Sequence, residues 1–342
     1  MPPRVLDRKP RVVSLGTPRY VGDDYLAEFI KSFDFSVLEA YDRESTKRLL
    51  PASIEKDGPI DAFIIRMGTP PYEPFDADLL SSLAPDCKII ASASSGYNEF
   101  DVRWMASQGI WFCNTVNAVA EATADMALFM ILAVLRNSSN AEKSARSGSW
   151  RSAPGLVPGR DPSGLTLGIV GLGAIGKYVA KKAAVLNLKI IYHNRNPIPA
   201  TEEAKYGATY CSSLHELLAA SDIVSIHCPL NANTTGLIGT AEFSMMKDGT
   251  FLVNTARGAV VDEKSLIEAL ESGKVTRAGL DAFDNEPSIN PYFQTSDKVI
   301  IQPHLGGLTD VAFQRAEREC FENIKALFER GEPNSPVLNI KK

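Results

Sequence analysis

Three side chains suited to one reaction follow one another in the second half of the chain, each behind a short apolar run. They are Arg257 in Asn254-Thr255-Ala256-Arg257-Gly258, Glu286 in Asp281-Ala282-Phe283-Asp284-Asn285-Glu286-Pro287, and His304 in Pro303-His304-Leu305-Gly306-Gly307. The set fits delivery of hydride to a ketone. Such a transfer makes an alkoxide, which needs a proton donor near neutral pH. An imidazole, with an ordinary pKa of about 6.5, supplies one, and a neighbouring carboxylate favours its protonated form and fixes its ring. A guanidinium grips a carboxylate through two parallel hydrogen bonds and polarises the adjacent carbonyl. Taken singly, each has a plainer explanation: Arg257 in a surface ion pair, Glu286 capping a turn, His304 hydrogen-bonded in a core. Their placement at three successive strand ends, behind a nucleotide motif, outweighs those explanations, because ligands of open α/β sheets bind outside the carboxyl ends of the strands.

The nucleotide motif is Gly171-Leu172-Gly173-Ala174-Ile175-Gly176, directly after a predicted strand at 165–170 and before helix-forming residues 177–186. The first glycine permits a tight turn, the second lets a pyrophosphate approach the backbone, and the third lets helix pack on strand. A generic glycine-rich turn is the bland alternative, and the strand-before, helix-after context argues against it. Folds of this kind usually offer a carboxylate about 20 positions further on to the ribose hydroxyls of NAD. Here the second strand ends Tyr192-His193-Asn194-Arg195-Asn196, a neutral amide beside a guanidinium. That pair suits a 2′-phosphate, so NADP(H) is the favoured cofactor. If Arg195 instead stacks on adenine or faces water, NAD(H) is acceptable.

The elements that must position these residues follow from hydrophobic patterning. Short apolar, β-branched runs at 12–15, 36–38, 62–65, 88–91 and 110–113 alternate with helical stretches. A second series runs through 165–170, 189–192, 223–226, 250–253, 277–280 and 299–301. Strands separated by helices predict parallel sheets, hence an α/β protein with two doubly wound units. Residues 117–136 are apolar on nearly every face from Met126 onward, which predicts a long helix buried between domains or against another subunit. Residues 147–163 mix Gly, Pro, Ser and Arg as a surface connection does. Helical spacing at 313–328 predicts a final helix that returns to the first unit.

Composition sets the class. A chain of 342 residues, 44% hydrophobic and 23% charged, is ordinary globular protein and long enough for two domains. Thirty-six basic against 41 acidic residues give a net charge of −5, with no cationic surplus for nucleic acid or an anionic membrane. Five scattered cysteines with no Cys-x-x-Cys pair suggest reduced thiols and no metal site. The charged N-terminal Met1-Pro2-Pro3-Arg4 does not resemble a signal peptide, and the chain closes on Lys341-Lys342 with no legible address. The apolar run at 126–135 is well short of the roughly 20 residues that span a bilayer. The expected location is cytoplasmic.

On these motifs, together with His227-Cys228-Pro229-Leu230 through Thr234, the chain resembles the D-isomer-specific 2-hydroxyacid dehydrogenases, over nearly its whole length. The resemblance implies a Rossmann dinucleotide-binding domain at 118–309, inserted into a flavodoxin-like substrate domain at 1–117 and 310–342, with the active site in the cleft. It implies that Arg257 binds the substrate carboxylate and carbonyl, that His304 is the acid/base, and that Glu286 pairs with it. Asp281 would hold the nicotinamide carboxamide. Ser94-Ser95-Gly96 matches the loop whose backbone N–H groups receive the carboxylate, although the family often has Gly or Ala where Ser94 and Ser95 stand. Met67 would help to shape the pocket, and Arg66 matches an arginine common in the family that is either functional or structural. Thr123 would lie near the cofactor phosphates. Pro229, Thr234, Thr255, Ala256 and Gly306 complete the expected cofactor contacts beside Gly171, Gly173, Ala174, Ile175, Gly176, Asn194 and Arg195.

The expected activity is reduction of a small 2-keto acid (glyoxylate, hydroxypyruvate, an aromatic or a sugar-derived one) to a D-2-hydroxy acid by a homodimer. One alternative is a dinucleotide-sensing, corepressor-like scaffold with incidental turnover, but no disordered tail or basic segment for its partners is present. A hydrolase of adenosyl thioethers would need a longer chain and further polar substrate ligands.

Overall fold

Both series of apolar runs form parallel sheets in a computed structural model, which describes residues 8–152 and 156–340. The first four residues, the last two lysines and part of the 147–163 connection lie outside the described residues. Contacts divide the chain into two compact units, Met1–Val119 with Leu308–Lys342 and Ala120–Gly307.

The first unit contains β1 (Arg11–Leu15), β2 (Asp34–Leu38), β3 (Ala62–Ile65), β4 (Ile89–Ser92) and β5 (Trp111–Cys113). They are parallel and lie in the order β2-β1-β3-β4-β5, the flavodoxin-like arrangement. Helices cover both faces, so β1, β3 and β4 are buried at every position and read as unbroken apolar runs. The helix Asp310–Arg330 belongs to this unit. Thr309 accepts the Ala312 N–H at 3.2 Å as its N-cap, and Gly331, at φ 81, ends it in the left-handed conformation. Its Phe321 packs edge-on against Phe29 at 4.8 Å, and its buried Glu317 accepts the N–H groups of Arg19, Tyr20 and Val21 at 3.0, 2.6 and 2.8 Å.

The second unit contains β6 (Thr166–Val170), β7 (Lys189–His193), β8 (Ala208–Tyr210), β9 (Ile223–Ile226), β10 (Thr250–Asn254), β11 (Val275–Leu280) and β12 (Val299–Ile301). Their order is β12-β11-β10-β9-β6-β7-β8. Counted from β6, the central strands run third, second, first, fourth, fifth, sixth, which is the Rossmann order, with β12 added as a seventh. The sequence pattern does not announce β8, a three-residue edge strand too short for periodicity to register. The helix after the glycine motif is Ala174–Ala184, so it opens inside the motif and ahead of the expected 177.

The helix expected at 117–136 is present as Val116–Arg136. The apolar run at 126–135 is part of it, and by length and composition the whole helix is apolar enough to cross a bilayer. Yet Ala124, Ala127, Met130, Ile131 and Val134 are sealed into the second unit's core with Leu167, Ile169 and Ile300, as in an ordinary core helix. Its far side is not covered by this chain, since Phe129 is 51% and Leu132 36% exposed.

Glu317→Ala strands three backbone N–H groups, and should lower the stability of the folded chain by on the order of 3 kcal/mol. Glu317→Gln, which keeps one acceptor oxygen, should lose less. Urea denaturation of both variants measures the difference.

Candidate active site

The second unit presents its chemistry on loops that leave the carboxyl ends of β6, β9, β10, β11 and β12. After β6, Gly171 has φ 101, and a Cβ there would stand 2.8 Å from the Cys228 nitrogen. Gly176 packs against the Gly171 carbonyl, whereas nothing lies within 4 Å of the place a Gly173 Cβ would occupy. No side chain caps the helix that begins at Ala174 and Ile175, so its first N–H groups face open space over Gly173. This cradle fits a pyrophosphate. After β7, Asn194 Oδ1 accepts the Leu172 N–H at 2.7 Å. That hydrogen bond fixes the amide, and the next residue, Arg195, is exposed.

The loop after β9 leans on the glycine motif through Cys228 and is closed by Thr234, whose Oγ1 donates to the Pro229 carbonyl at 2.6 Å. His227 and Thr255 add two observations here, since the sequence reading expects Thr255 among the cofactor contacts and gives His227 no role. His227 shares a 2.8 Å hydrogen bond with Ser225 through Nε2, and burial pushes its pKa down to about 3, so the ring is neutral. After β10, Thr255 Oγ1 is buried with no hydrogen-bond partner among the described residues. An orphaned hydroxyl at the carboxyl end of β10 is the kind of group that a bound ligand satisfies.

The reactive set is assembled by close backbone approach. Asn254 braces its own loop, donating to the Arg257 carbonyl at 2.8 Å and accepting the Ala256 N–H at 3.0 Å. Gly258 follows because a Cβ there would overlap the backbone of Phe283 and Asp284, and this contact brings the arginine loop against the loop that carries Glu286. Glu286 accepts the Phe283 N–H at 2.9 Å through Oε1 and meets His304 Nδ1 at 2.8 Å through Oε2. Burial alone would raise Glu286. The hydrogen bonds from His304 and Phe283, with the charges of His304 and Arg257, instead hold it below its ordinary range. With an ionised partner, Nδ1 is the donor, which leaves Nε2 free to carry the exchanged proton.

His304 has φ 57, a strained conformation for a residue with a side chain. Asp281 holds it there, because its two oxygens accept the N–H groups of Leu305 and Gly306 at 2.7 Å each. Burial raises the Asp281 pKa despite those two hydrogen bonds. The sequence expectation gave Asp281 a carboxamide partner; the structure adds this backbone clamp. Gly306 lies where a Cβ would press on both Asp281 and Thr123, so those three expected residues are brought together.

The first unit carries the remaining expected residues separately. Met67 and Arg66 follow β3, and the half-buried Ser94, Ser95 and Gly96 follow β4. The Ser94 hydroxyl is used within the turn, donating to the Gly96 carbonyl at 2.9 Å and pairing with Ser92 Oγ at 2.8 Å. A Cβ on Gly16 would collide with the Arg66 side chain, whose Nε is buried without a partner among the described residues. Among those residues, no three His, Cys, Asp or Glu side chains gather as a metal site.

A Rossmann sheet with a glycine cradle, and an Arg, Glu and His set at its carboxyl edge, defines a nicotinamide-dependent dehydrogenase. The family described as "D-isomer specific 2-hydroxyacid dehydrogenase, NAD binding domain" matches residues 128–306. Dehydrogenase efuE of Hormonema carpetanum is 58% identical over 340 residues, which is 99% of this chain and 84% of that protein. A glyoxylate reductase from Paecilomyes thermophila superposes with a TM-score of 0.90 at 35% identity, covering 97% of this chain and 99% of the other. The holo form of Rhodotorula graminis D-mandelate dehydrogenase gives 0.89 at 33% identity, covering 100% and 99%. The chain belongs to the D-isomer-specific 2-hydroxyacid dehydrogenase family, and is an NAD(P)-dependent enzyme of that class.

Glu286→Gln removes the anion that fixes the imidazole tautomer. The expected result is a reduction rate lower by roughly 10²-fold. A kcat/KM within about twofold of the parent contradicts the pairing.

Proposed function

We propose that this enzyme reduces small 2-keto acids to D-2-hydroxy acids, with NADPH preferred over NADH. The observation that carries the reading is the 2.8 Å pairing of His304 with Glu286, within range of the Arg257 charge. Arg257 grips the substrate carboxylate and polarises the carbonyl, while His304 Nε2 donates a proton to the oxygen as negative charge develops on it. Glu286 keeps the ring in the matching tautomer. Residues 1–117 with 310–342 act as the substrate domain, where the Ser95 and Gly96 N–H groups receive the carboxylate and Ser94 and Met67 shape the pocket. Residues 118–309 act as the cofactor domain.

When bound, a nicotinamide supplies the hydride. The glycine motif with Ala174 and Ile175 would hold its pyrophosphate, and Thr123, Pro229, Thr234, Thr255, Ala256, Asp281 and Gly306 would hold the rest. The neutral Asn194 amide followed by Arg195 supports a 2′-phosphate, since both groups can donate and neither repels an anion. A glyoxylate reductase and a D-mandelate dehydrogenase among the similar structures support testing both small and aromatic acids.

The decisive assay offers glyoxylate, hydroxypyruvate, phenylglyoxylate and 2-keto-gulonate with each reduced cofactor. At least one pair should consume the cofactor, and silence in every combination removes the proposal. In the double variant Asn194→Asp with Arg195→Ala, the ratio of kcat/KM with NADPH to that with NADH should fall about tenfold or more, the value of one charge-assisted hydrogen bond.

A cytoplasmic homodimer completes the reading. It is supported by exposed Phe129 and Leu132 on one helix face, by Trp150 at 70% exposure, and by five free cysteines. Sedimentation at micromolar concentration should give a dimer, and a stable monomer ends that part.

A further inference from the structure

The two N–H groups assigned above to the substrate carboxylate are aimed by residues outside their own turn. The Ser94 carbonyl accepts the Thr115 N–H at 2.9 Å and Thr115 Oγ1 at 3.3 Å. The Ser95 carbonyl accepts Asn114 Nδ2 at 2.6 Å. In a planar trans peptide, C=O and N–H point in opposite directions. Drawing these two carbonyls toward Asn114 and Thr115 therefore turns the N–H groups of Ser95 and Gly96 the other way, where neither meets an acceptor among the described residues. Successive N–H groups directed to one side make an anion-binding concavity.

Asn114 is itself held firmly. It is 6% exposed at the end of β5, and its carbonyl accepts Ser335 Oγ at 3.4 Å. The Ser335 N–H donates to the buried Asn323 Oδ1 at 3.0 Å. The antiparallel bridge between Cys113 and Pro336, and the 2.9 Å hydrogen bond from Val337 N–H to the Phe112 carbonyl, tie the same C-terminal segment to β5. The segment near the chain's end thus fixes the strand exit from which the Asn114 amide reaches the turn.

We infer that Asn114 is a positioning residue for the substrate carboxylate: its amide, aided by Thr115, sets the direction of the Ser95 and Gly96 N–H groups. The inference rests on the assignment of that turn to the carboxylate. An aspartate at 114 has no donor for the Ser95 carbonyl and repels it. The Ser95–Gly96 peptide is then free to turn over and present oxygen where the anion needs hydrogen.

Asn114→Asp and Asn114→Ala should raise KM for the keto acid about tenfold or more. The same variants should change kcat by less than about threefold, with NADPH affinity and melting temperature near those of the parent. KM within about twofold of the parent in both variants overturns the inference, as does a loss confined to kcat. Hydrogen–deuterium exchange of the unaltered protein supplies a readout that needs neither turnover nor a folded variant. The Ser95 and Gly96 amides should exchange fast in the NADPH complex and slow on addition of oxamate, a keto-acid mimic that cannot be reduced. Absence of that protection also overturns the inference. Protection by oxamate without reduction of any keto acid would instead leave Asn114 in its role and remove the reductase proposal.

Discussion

A buried carboxylate governs the reactive edge. Asp281 closes both of its oxygens on the N–H groups that follow His304, and this fixes the chain path so tightly that the histidine stays at φ 57. Such a conformation costs on the order of 1–3 kcal/mol and persists only where the surroundings overdetermine it. Here Gly306 is packed against both Asp281 and Thr123, which restricts the course of the loop. The consequence is directional. The imidazole points one nitrogen at Glu286, so the ring is aimed by backbone geometry.

The first unit solves a similar problem with the roles exchanged. There side chains hold the backbone of two turns in place. Glu317 gathers three N–H groups of the loop after β1, and Asn114 with Thr115 gathers two carbonyls of the turn after β4. Both devices depend on the final helix and the segment behind it, which supply Glu317 directly and Asn114 through Asn323 and Ser335. The last stretch of sequence therefore serves turns formed by the first.

Much of this was legible beforehand. The alternation of apolar runs announced two parallel sheets, since strands buried on both faces must be apolar throughout. The spacing of Gly171, Gly173 and Gly176 announced the cradle, because each glycine answers a separate steric demand. Arg257, Glu286 and His304 could be named because few other side chains perform their chemistry. The edge strand β8 was not legible, being too short to carry a period. The helix expected at 117–136 was legible to within one residue of the observed Val116–Arg136.

The sequence by itself determined the fold class and the nucleotide motif and singled out the candidate reactive side chains, because these are encoded in residue type and local spacing. Only the tertiary structure decided what Asp281, Asn114 and Asn194 hold in place. Their partners are backbone groups, which every residue possesses and no letter of the sequence distinguishes. Which N–H or carbonyl such a side chain meets depends on where the chain returns in space, and that is settled when the sheets and helices pack.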